Sequence, residues 1–155
     1  MILFRPLFLA ALALAVFPAQ AQDTIEENAA IMREVQTTDA KTLIARNLKL
    51  TDAQAKAFWP VYDRYEAQRA KIDARLDAVL QDYKLSCEQL CDEKAAQLLN
   101  DWMGARHDLD ELRQSYVAEF GAVLPATKVL RLYQIESLRE SVIRVDRSKT
   151  VPLAR

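Results

Sequence analysis

The sequence predicts an all-α protein of four helices, in which two long neighbouring helices form an antiparallel hairpin. The chain of 155 residues holds only two glycines and is rich in Ala, Leu, Glu, Gln, Lys and Arg, a composition that favours long helices with few turns. Two long segments also repeat apolar residues at alternating spacings of four and three, as packed helices do. The period-two alternation of a β-strand is not found in the sequence.

Residues 1–21 have the pattern of a secretory signal peptide. A positive charge near the start precedes an unbroken apolar run from Leu7 to Phe17, and the small-x-small pattern that signal peptidase reads ends at Ala21. This run is well below the roughly 20 residues that a membrane span needs. We therefore expect cleavage before Gln22 and no membrane span afterwards. Residues 22–155 are then a single all-helical domain in the periplasm, with a short extended C-terminal tail.

The first helix of this domain has the weaker apolar period. It is expected over about residues 24–47, with Thr37-Thr38-Asp39 as the point where it could break. The start of the second helix is clearer, because Thr51 and Gln54 have the spacing of a capping box. In that motif the Thr hydroxyl accepts from the Gln amide, and the Gln side chain accepts from the Thr amide.

The predicted hairpin begins at a helix that contains a proline. Pro60 lacks an amide donor and clashes with the preceding turn, so we expect a short helix over residues 52–59, a kink, and a long helix from residue 60 to about Tyr83. The apolar seam of this part of the chain, interrupted only by Arg69, comprises Phe58, Tyr62, Tyr65, Ile72, Leu76, Val79 and Tyr83. The third helix carries a matching seam at Ala95, Leu98, Trp102, Ala105, Leu109, Leu112, Tyr116 and Phe120. The short polar connection between two seams of similar length predicts antiparallel packing.

The last helix is expected from Pro125 to about Val145. Leu124 ends the helix before it, because a residue that precedes proline avoids helical angles. Apolar residues spread over more than one face of this last helix, and one stripe comprises Leu130, Ile135, Leu138, Val142 and Val145. Four helices leave too little protein to cover all of that surface, so we expect a homodimer.

The segment Leu50-Thr51-Asp52-Ala53-Gln54 resembles the LTxxQ motif of the Spy/CpxP-like periplasmic proteins. The continuation through Phe58-Trp59-Pro60-Val61-Tyr62 is similar to an uncharacterised proteobacterial branch of that group. The second copy of the motif that the family usually has is represented by Leu124-Pro125-Ala126-Thr127-Lys128, where Lys replaces Gln. The resemblance implies a cradle-shaped helical dimer that acts as an ATP-independent chaperone or as an adaptor in envelope stress.

Charge and composition argue against several functional classes. The 21 basic and 22 acidic residues nearly balance, which gives no case for nucleic-acid binding. Two glycines cannot form a Gly-rich phosphate loop, and the carboxylates alternate with Lys and Arg on helix faces as ordinary surfaces do. The single histidine, His107, has no scaffold of base and orienting partner around it. We therefore expect no enzyme activity and no cofactor.

A metal or redox function has two groups of candidate residues. His107 and Glu111 share a helix face, but the seam places them toward solvent, so metal binding is disfavoured. Cys87 and Cys91 lie in the connection between the long helices, in an oxidising compartment where they can pair. An intrachain disulfide is the favoured interpretation, and an interchain or reversible bond and a thiol metal site are the alternatives.

The function expected from these observations is reversible binding of unfolded or partner periplasmic proteins through helix surfaces. The candidate client or dimer surface comprises Phe58, Trp59 and Tyr62 with Leu130, Ile135, Leu138 and Val142 of the last helix. The aromatic residues have a competing interpretation as core. Two other functions are kept as alternatives: a sensor or regulator that responds to redox state or metal, and a structural module that docks one fixed envelope partner.

Overall fold

A computed structural model describes residues 19–154 of the chain, and side chains from residue 25 onward. Most of the predicted signal peptide, residues 1–18, lies outside this range. Within it the protein is all-helical, as predicted, but it has five α-helices rather than four. They are α1 (Ala19–Val35), α2 (Ala40–Leu48), α3 (Asp52–Ser86), α4 (Asp92–Val123) and α5 (Ala126–Ser148), with one 3₁₀ turn at Cys87–Gln89.

The fifth helix arises because the segment before the hairpin breaks at Thr37-Thr38-Asp39, the point where the sequence allowed a break, so residues 24–47 do not form one helix. The chain leaves α1 after Val35, and Asp39 then caps the start of α2. One carboxylate oxygen of Asp39 accepts from the Thr42 backbone amide at 3.0 Å, and the other accepts from the Thr42 hydroxyl at 2.7 Å. A side chain that satisfies the free amides of a new helix makes a restart at residues 37–39 favourable.

The capping box at the start of α3 is confirmed. The Thr51 hydroxyl accepts from the Gln54 amide at 3.3 Å, and the Thr51 amide donates to the Gln54 side chain at 3.1 Å. The expected interruption at Pro60 is wrong, because α3 continues through it as one helix of 35 residues. Pro60 lies on the exposed face, where water can bond the carbonyl that the proline leaves without a donor.

The predicted hairpin is formed by α3 and α4, and three ion pairs fix its direction. Lys94 lies 2.6 Å from Asp82 near the connecting turn, and Arg64 lies 2.7 Å from Glu119 far from it. Arg75 pairs with Asp108 between them. Residue numbers on one helix rise as their partners' numbers fall, so the two helices are antiparallel.

An aromatic cluster fills the core at the end of the hairpin away from the turn. Phe58, Tyr62 and Tyr65 of α3 pack against Tyr116 and Phe120 of α4, with ring centroids 5.3–6.5 Å apart. All five side chains are buried, and each such pair contributes about 0.5–1.5 kcal/mol beyond the area it buries. This cluster joins α3 to α4 at the open end of the hairpin.

Helix α5 returns along the hairpin toward the connecting turn. Leu124 is extended, with φ −131° and ψ 149°, so the predicted break before Pro125 is confirmed. Apolar residues of α5 join the same core as α1 and α2 through Val129, Leu132 and Ile135. Beyond α5 the chain has no regular structure over residues 151–154, which we call the tail. Among the described residues, no helix is both long and apolar enough to cross a membrane.

Candidate functional site

The aromatic residues expected at a client or dimer surface support the core instead. Phe58 and Tyr62 are fully buried, and Trp59 is half-buried against both of them, with ring centroids 5.0 and 5.8 Å away. The Tyr62 hydroxyl also donates to a carboxylate oxygen of Glu136 on α5 at 2.7 Å. In this fold Phe58 and Tyr62 present no surface to a partner.

The residues expected from the last helix are divided between core and surface. Ile135 and Val142 are buried, and Leu138 is half-buried against the core. Leu130 is 62% exposed, so it alone of this group is freely accessible. Val145, from the same stripe, is also exposed. The structure thus leaves a smaller apolar surface on α5 than the sequence predicts.

A surface that the sequence analysis missed lies on α4, toward the connecting turn. Leu99, Trp102 and Met103 are 55%, 42% and 55% exposed, and their spacings of three and four place them on one face of the helix. Leu153 of the tail, which is 90% exposed, borders the same region beside Leu99 and Trp102. We call these four residues the distal patch.

The distal patch could have been found from a second apolar stripe beside the seam of α4. Leu98 and Trp102 are four residues apart on the predicted seam, and Leu99 and Met103 repeat that spacing one position later. An apolar face of that width exceeds what packing against α3 alone requires. The structure buries Leu98 and turns Leu99 and Met103 outward, and Trp102 lies at the edge between the two stripes.

Next to the patch, a groove runs between α3, α4, the end of α5 and the tail. It has two compartments of about 320 and 330 Å³, which share Leu80, Trp102 and the tail residues Val151, Pro152 and Leu153 as walls. We call this the distal groove. The tail is held over it in part by a hydrogen bond of 3.1 Å from the Lys84 ammonium to the Thr150 hydroxyl.

The arginines around the first compartment differ in whether they have an acidic partner. Arg147 is bound to Asp73 at 3.2 Å and to Asp77 at 2.8 Å, so its charge is neutralised within the protein. Arg106 and Arg144 also line this compartment, and neither forms an ion pair with a described residue. The guanidinium carbon of Arg106 lies 6.0 Å from the centre of the Trp102 ring. Two uncompensated cations therefore border an apolar groove.

The second compartment contains a polar atom without a partner. The hydroxyl of Tyr83 is buried and has no hydrogen-bond partner among the described residues. Its neighbours in this compartment are apolar, and they include Val79, Leu90 and Leu98. A buried hydroxyl without a hydrogen bond costs free energy, and few such groups are found in folded proteins.

A buried ion network extends from Arg69, which lines the first compartment of the groove. Arg69, which is 1% exposed, pairs with Glu136 of α5, and Glu136 also accepts from Tyr62 and from Arg139 at 2.7 and 3.3 Å. Arg139 in turn binds Glu66 of α3 through two hydrogen bonds of 2.9 and 3.1 Å. Burial, together with the Glu136 carboxylate, raises the pKa of Tyr62 far above its ordinary value. Because every charge in this network has a partner, its role is to join α3 to α5 and not to bind a ligand.

The two cysteines occupy the turn between α3 and α4. Cys87 begins the 3₁₀ turn, is half-buried, and donates its thiol to the Lys84 carbonyl at 3.4 Å. Cys91 precedes α4 and is exposed. Both are free thiols in the structure, and the disulfide stays a prediction.

The described residues contain no cluster of three or more side chains suited to metal binding. His107 is exposed and lies 3.3 Å from Glu111, an ordinary contact between neighbouring turns of a helix. Comparisons of the chain with protein-family models, with curated proteins and with solved structures give no match. The distal patch and the distal groove are the candidate sites of the described residues.

Proposed function

We propose that this chain is a periplasmic protein that binds other proteins reversibly and without nucleotide, as a chaperone or envelope-stress adaptor of the Spy/CpxP-like kind. The distal patch is the contact surface in this proposal. The observation that carries it is the exposure of Leu99, Trp102 and Met103 together on one face of α4. Large apolar side chains that are grouped on a surface mark interaction sites in soluble proteins.

The chemistry of the patch favours varied clients over one fixed partner. Leu and Met side chains adapt their shape easily, and Met in particular is common on surfaces that bind many sequences. Apolar contact has no directional requirement, so unfolded chains of different sequence can bind in the same place.

The proposal is tested by the aggregation of a denatured model substrate in the presence of the purified protein at equal molarity. The wild-type protein is expected to suppress aggregation. The double variant Leu99→Ser/Met103→Ser removes two apolar side chains, each of which contributes about 1.5–3 kcal/mol when it becomes fully buried in a complex. Affinity for the substrate is expected to fall about tenfold or more.

Val117→Ser is the matched control. Val117 is also an exposed apolar residue of α4 and lies 14 positions from Met103, about 21 Å along the helix. This variant is expected to suppress aggregation as well as the wild-type protein does. The proposal is abandoned if the wild-type protein has no effect at low salt, or if the control and the double variant lose equal activity.

A further inference from the structure

We propose that the distal groove binds a single-chain amphiphile with an anionic head, of the class of long-chain carboxylates. The carboxylate lies between Arg106 and Arg144, and the alkyl chain extends past Trp102 beneath the tail toward Tyr83. This site goes beyond the proposed binding of proteins, since its ligand lies inside the groove with its head group at Arg106 and Arg144. Leu99, Trp102 and Leu153 belong to both the patch and the groove, whereas Met103 belongs to the patch alone.

The size and lining of the groove fit an alkyl chain. The two compartments, about 320 and 330 Å³, adjoin at Leu80 and Trp102, and together they fall within the range of small-molecule sites. Aliphatic side chains from both helices of the hairpin supply most of the wall, among them Leu76, Val79 and Leu98. Such a wall takes up an alkyl chain because the apolar surfaces of both leave water.

Two arginines determine which head group of a ligand the groove favours. Arg106 and Arg144 border the first compartment, and neither has a carboxylate partner among the described residues. The carboxylates nearest to them in the wall are already engaged, since Glu140 binds Arg113 and Asp73 binds Arg69 and Arg147. A guanidinium binds a carboxylate in two parallel hydrogen bonds, so two free arginines at an apolar groove match an anionic head and repel a cationic one.

The tail argues against a protein helix as the occupant. Val151, Pro152 and Leu153 form a wall of both compartments, so the tail closes one side of the groove. One turn of an α-helix, about 10 Å across and 5.4 Å long, occupies roughly 400 Å³, so the two compartments together hold less than two turns. An extended alkyl chain is narrow enough to pass under the tail.

Trp102 provides a direct readout of occupancy. The chain has two tryptophans, so the variant Trp59→Phe leaves Trp102 as the sole tryptophan and the sole strong fluorophore. The probe is dodecanoate, added to this variant below its micelle-forming concentration. A saturable change in Trp102 fluorescence is expected, with weaker binding of dodecanol, which has the same chain without the charge, and none of dodecyltrimethylammonium.

The double variant Arg106→Gln/Arg144→Gln is expected to bind dodecanoate about tenfold or more weakly and to bind dodecanol as before. Arg33→Gln is the matched control, because Arg33 is an exposed arginine of α1 without an ion pair to a described residue. The inference is overturned if dodecanoate leaves Trp102 fluorescence unchanged. It is also overturned if the double variant and the control bind dodecanoate equally well.

One variant separates this inference from the proposed function. Met103 belongs to the distal patch but lines neither compartment of the groove. Met103→Ser is therefore expected to weaken the suppression of aggregation while dodecanoate still binds with unchanged affinity. The arginine variant is expected to give the complementary result, in which dodecanoate binding is lost and aggregation is still suppressed. The two proposals can then be confirmed or refuted separately.

Discussion

Arg69 of α3 and Glu136 of α5 form a buried ion pair across the two helices, and both residues are nearly inaccessible to water. Each has further partners, because Arg69 also contacts Asp73, and Glu136 accepts from Tyr62 and Arg139. Burial lowers the pKa of the Arg69 guanidinium and the Glu136 carboxylate raises it, with a net upward direction. The charged form of Arg69 is therefore the stable one in the fold.

Replacement of Arg69 by methionine is expected to destabilise the protein by about 3–5 kcal/mol, because Glu136 is then left buried with one partner fewer. The double variant Arg69→Met/Glu136→Gln removes the uncompensated charge while an amide oxygen still accepts from Tyr62. It is expected to be more stable than Arg69→Met alone. Denaturation with urea, followed by circular dichroism, measures both differences.

The matched control for this prediction is Arg75→Met. Arg75 pairs with Asp108 across the hairpin, but both side chains are exposed. Loss of an exposed ion pair costs at most about 1 kcal/mol, because water and salt screen it. Equal destabilisation by Arg69→Met and Arg75→Met would contradict the structural role given to the buried pair.

Thr51→Ala is expected to cost about 0.5–2 kcal/mol of stability, because the Gln54 amide loses its acceptor at the start of α3. Thr51→Ser keeps the hydroxyl and is expected to retain most of the stability. Thr127, an exposed residue in the first turn of α5, provides the control variant Thr127→Ala. Thermal unfolding of the three variants measures the effect, and similar losses for Thr51→Ala and Thr127→Ala would refute it.

High pH is expected to unfold the protein through its buried tyrosines. Burial raises the pKa of Tyr62 and Tyr65 above the ordinary value of 10.0, and it raises the pKa of Tyr133 to about 12. A raised pKa means that the neutral form is favoured in the fold. The stability from these groups is therefore complete below pH 10 and is lost as the pH rises through 10 toward 12.

Tyrosinate absorbance and circular dichroism, recorded on the same samples, test this pH dependence. Three of the five tyrosines are expected to ionise only as helical signal is lost. Ionisation of all five near pH 10 with an intact circular dichroism spectrum would show that these hydroxyls are not buried as described.

The two cysteines are expected to react at different rates in the reduced protein. Cys91 is exposed, whereas Cys87 is half-buried with its thiol directed to the Lys84 carbonyl. Brief treatment with iodoacetamide is therefore expected to modify Cys91 first, because access limits the reaction at Cys87. Peptide mass spectrometry identifies the modified residue. Preferential modification of Cys87 would place the turn in a different conformation.

A homodimer, if it forms, is expected to use the exposed apolar residues of α5. Leu130 and Val145 are 62% and 53% exposed and lie 15 positions apart, close to one face of the helix. Leu130→Glu introduces a charge on that face and is expected to shift the protein toward the monomer. Sedimentation equilibrium measures the shift. A dimer that Leu130→Glu leaves intact would place the contact elsewhere.

The sequence was sufficient to predict an all-α fold, the hairpin, the start of α3 and the end of α4, but not the number of helices. Thr51, Gln54 and Leu124 act through neighbours in the chain, so their roles follow from spacing alone. The break before α2 and the continuity at Pro60 are each decided by a balance between local hydrogen bonds and packing against distant segments. The carboxylate of Asp39 favours the break, and packing on both sides of Pro60 favours the continuous helix.

The candidate site was harder to predict, because burial depends on contacts between distant segments. Phe58, Tyr62 and Trp102 are all aromatic residues of a predicted seam. Phe58 and Tyr62 are nevertheless buried by α4 and α5, while Trp102 lies at the edge of the packed face of α4. Arg69 occupies a position of the apolar seam, and the sequence offered no partner for its charge. It is buried because Glu136, 67 positions later, provides the opposite charge, and sequence spacing carries no signal of that pairing.

The central claim, that the distal patch binds unfolded chains, is tested most directly by photo-crosslinking in the purified protein. A photoreactive amino acid is placed at Met103 in one variant and at Lys71, an exposed residue of α3, in another. Crosslinks from position 103 to a denatured client, but not to the same client when folded, are the predicted result, with few crosslinks from position 71. Absence of crosslinks from position 103, or equal yields from both positions, would contradict the account.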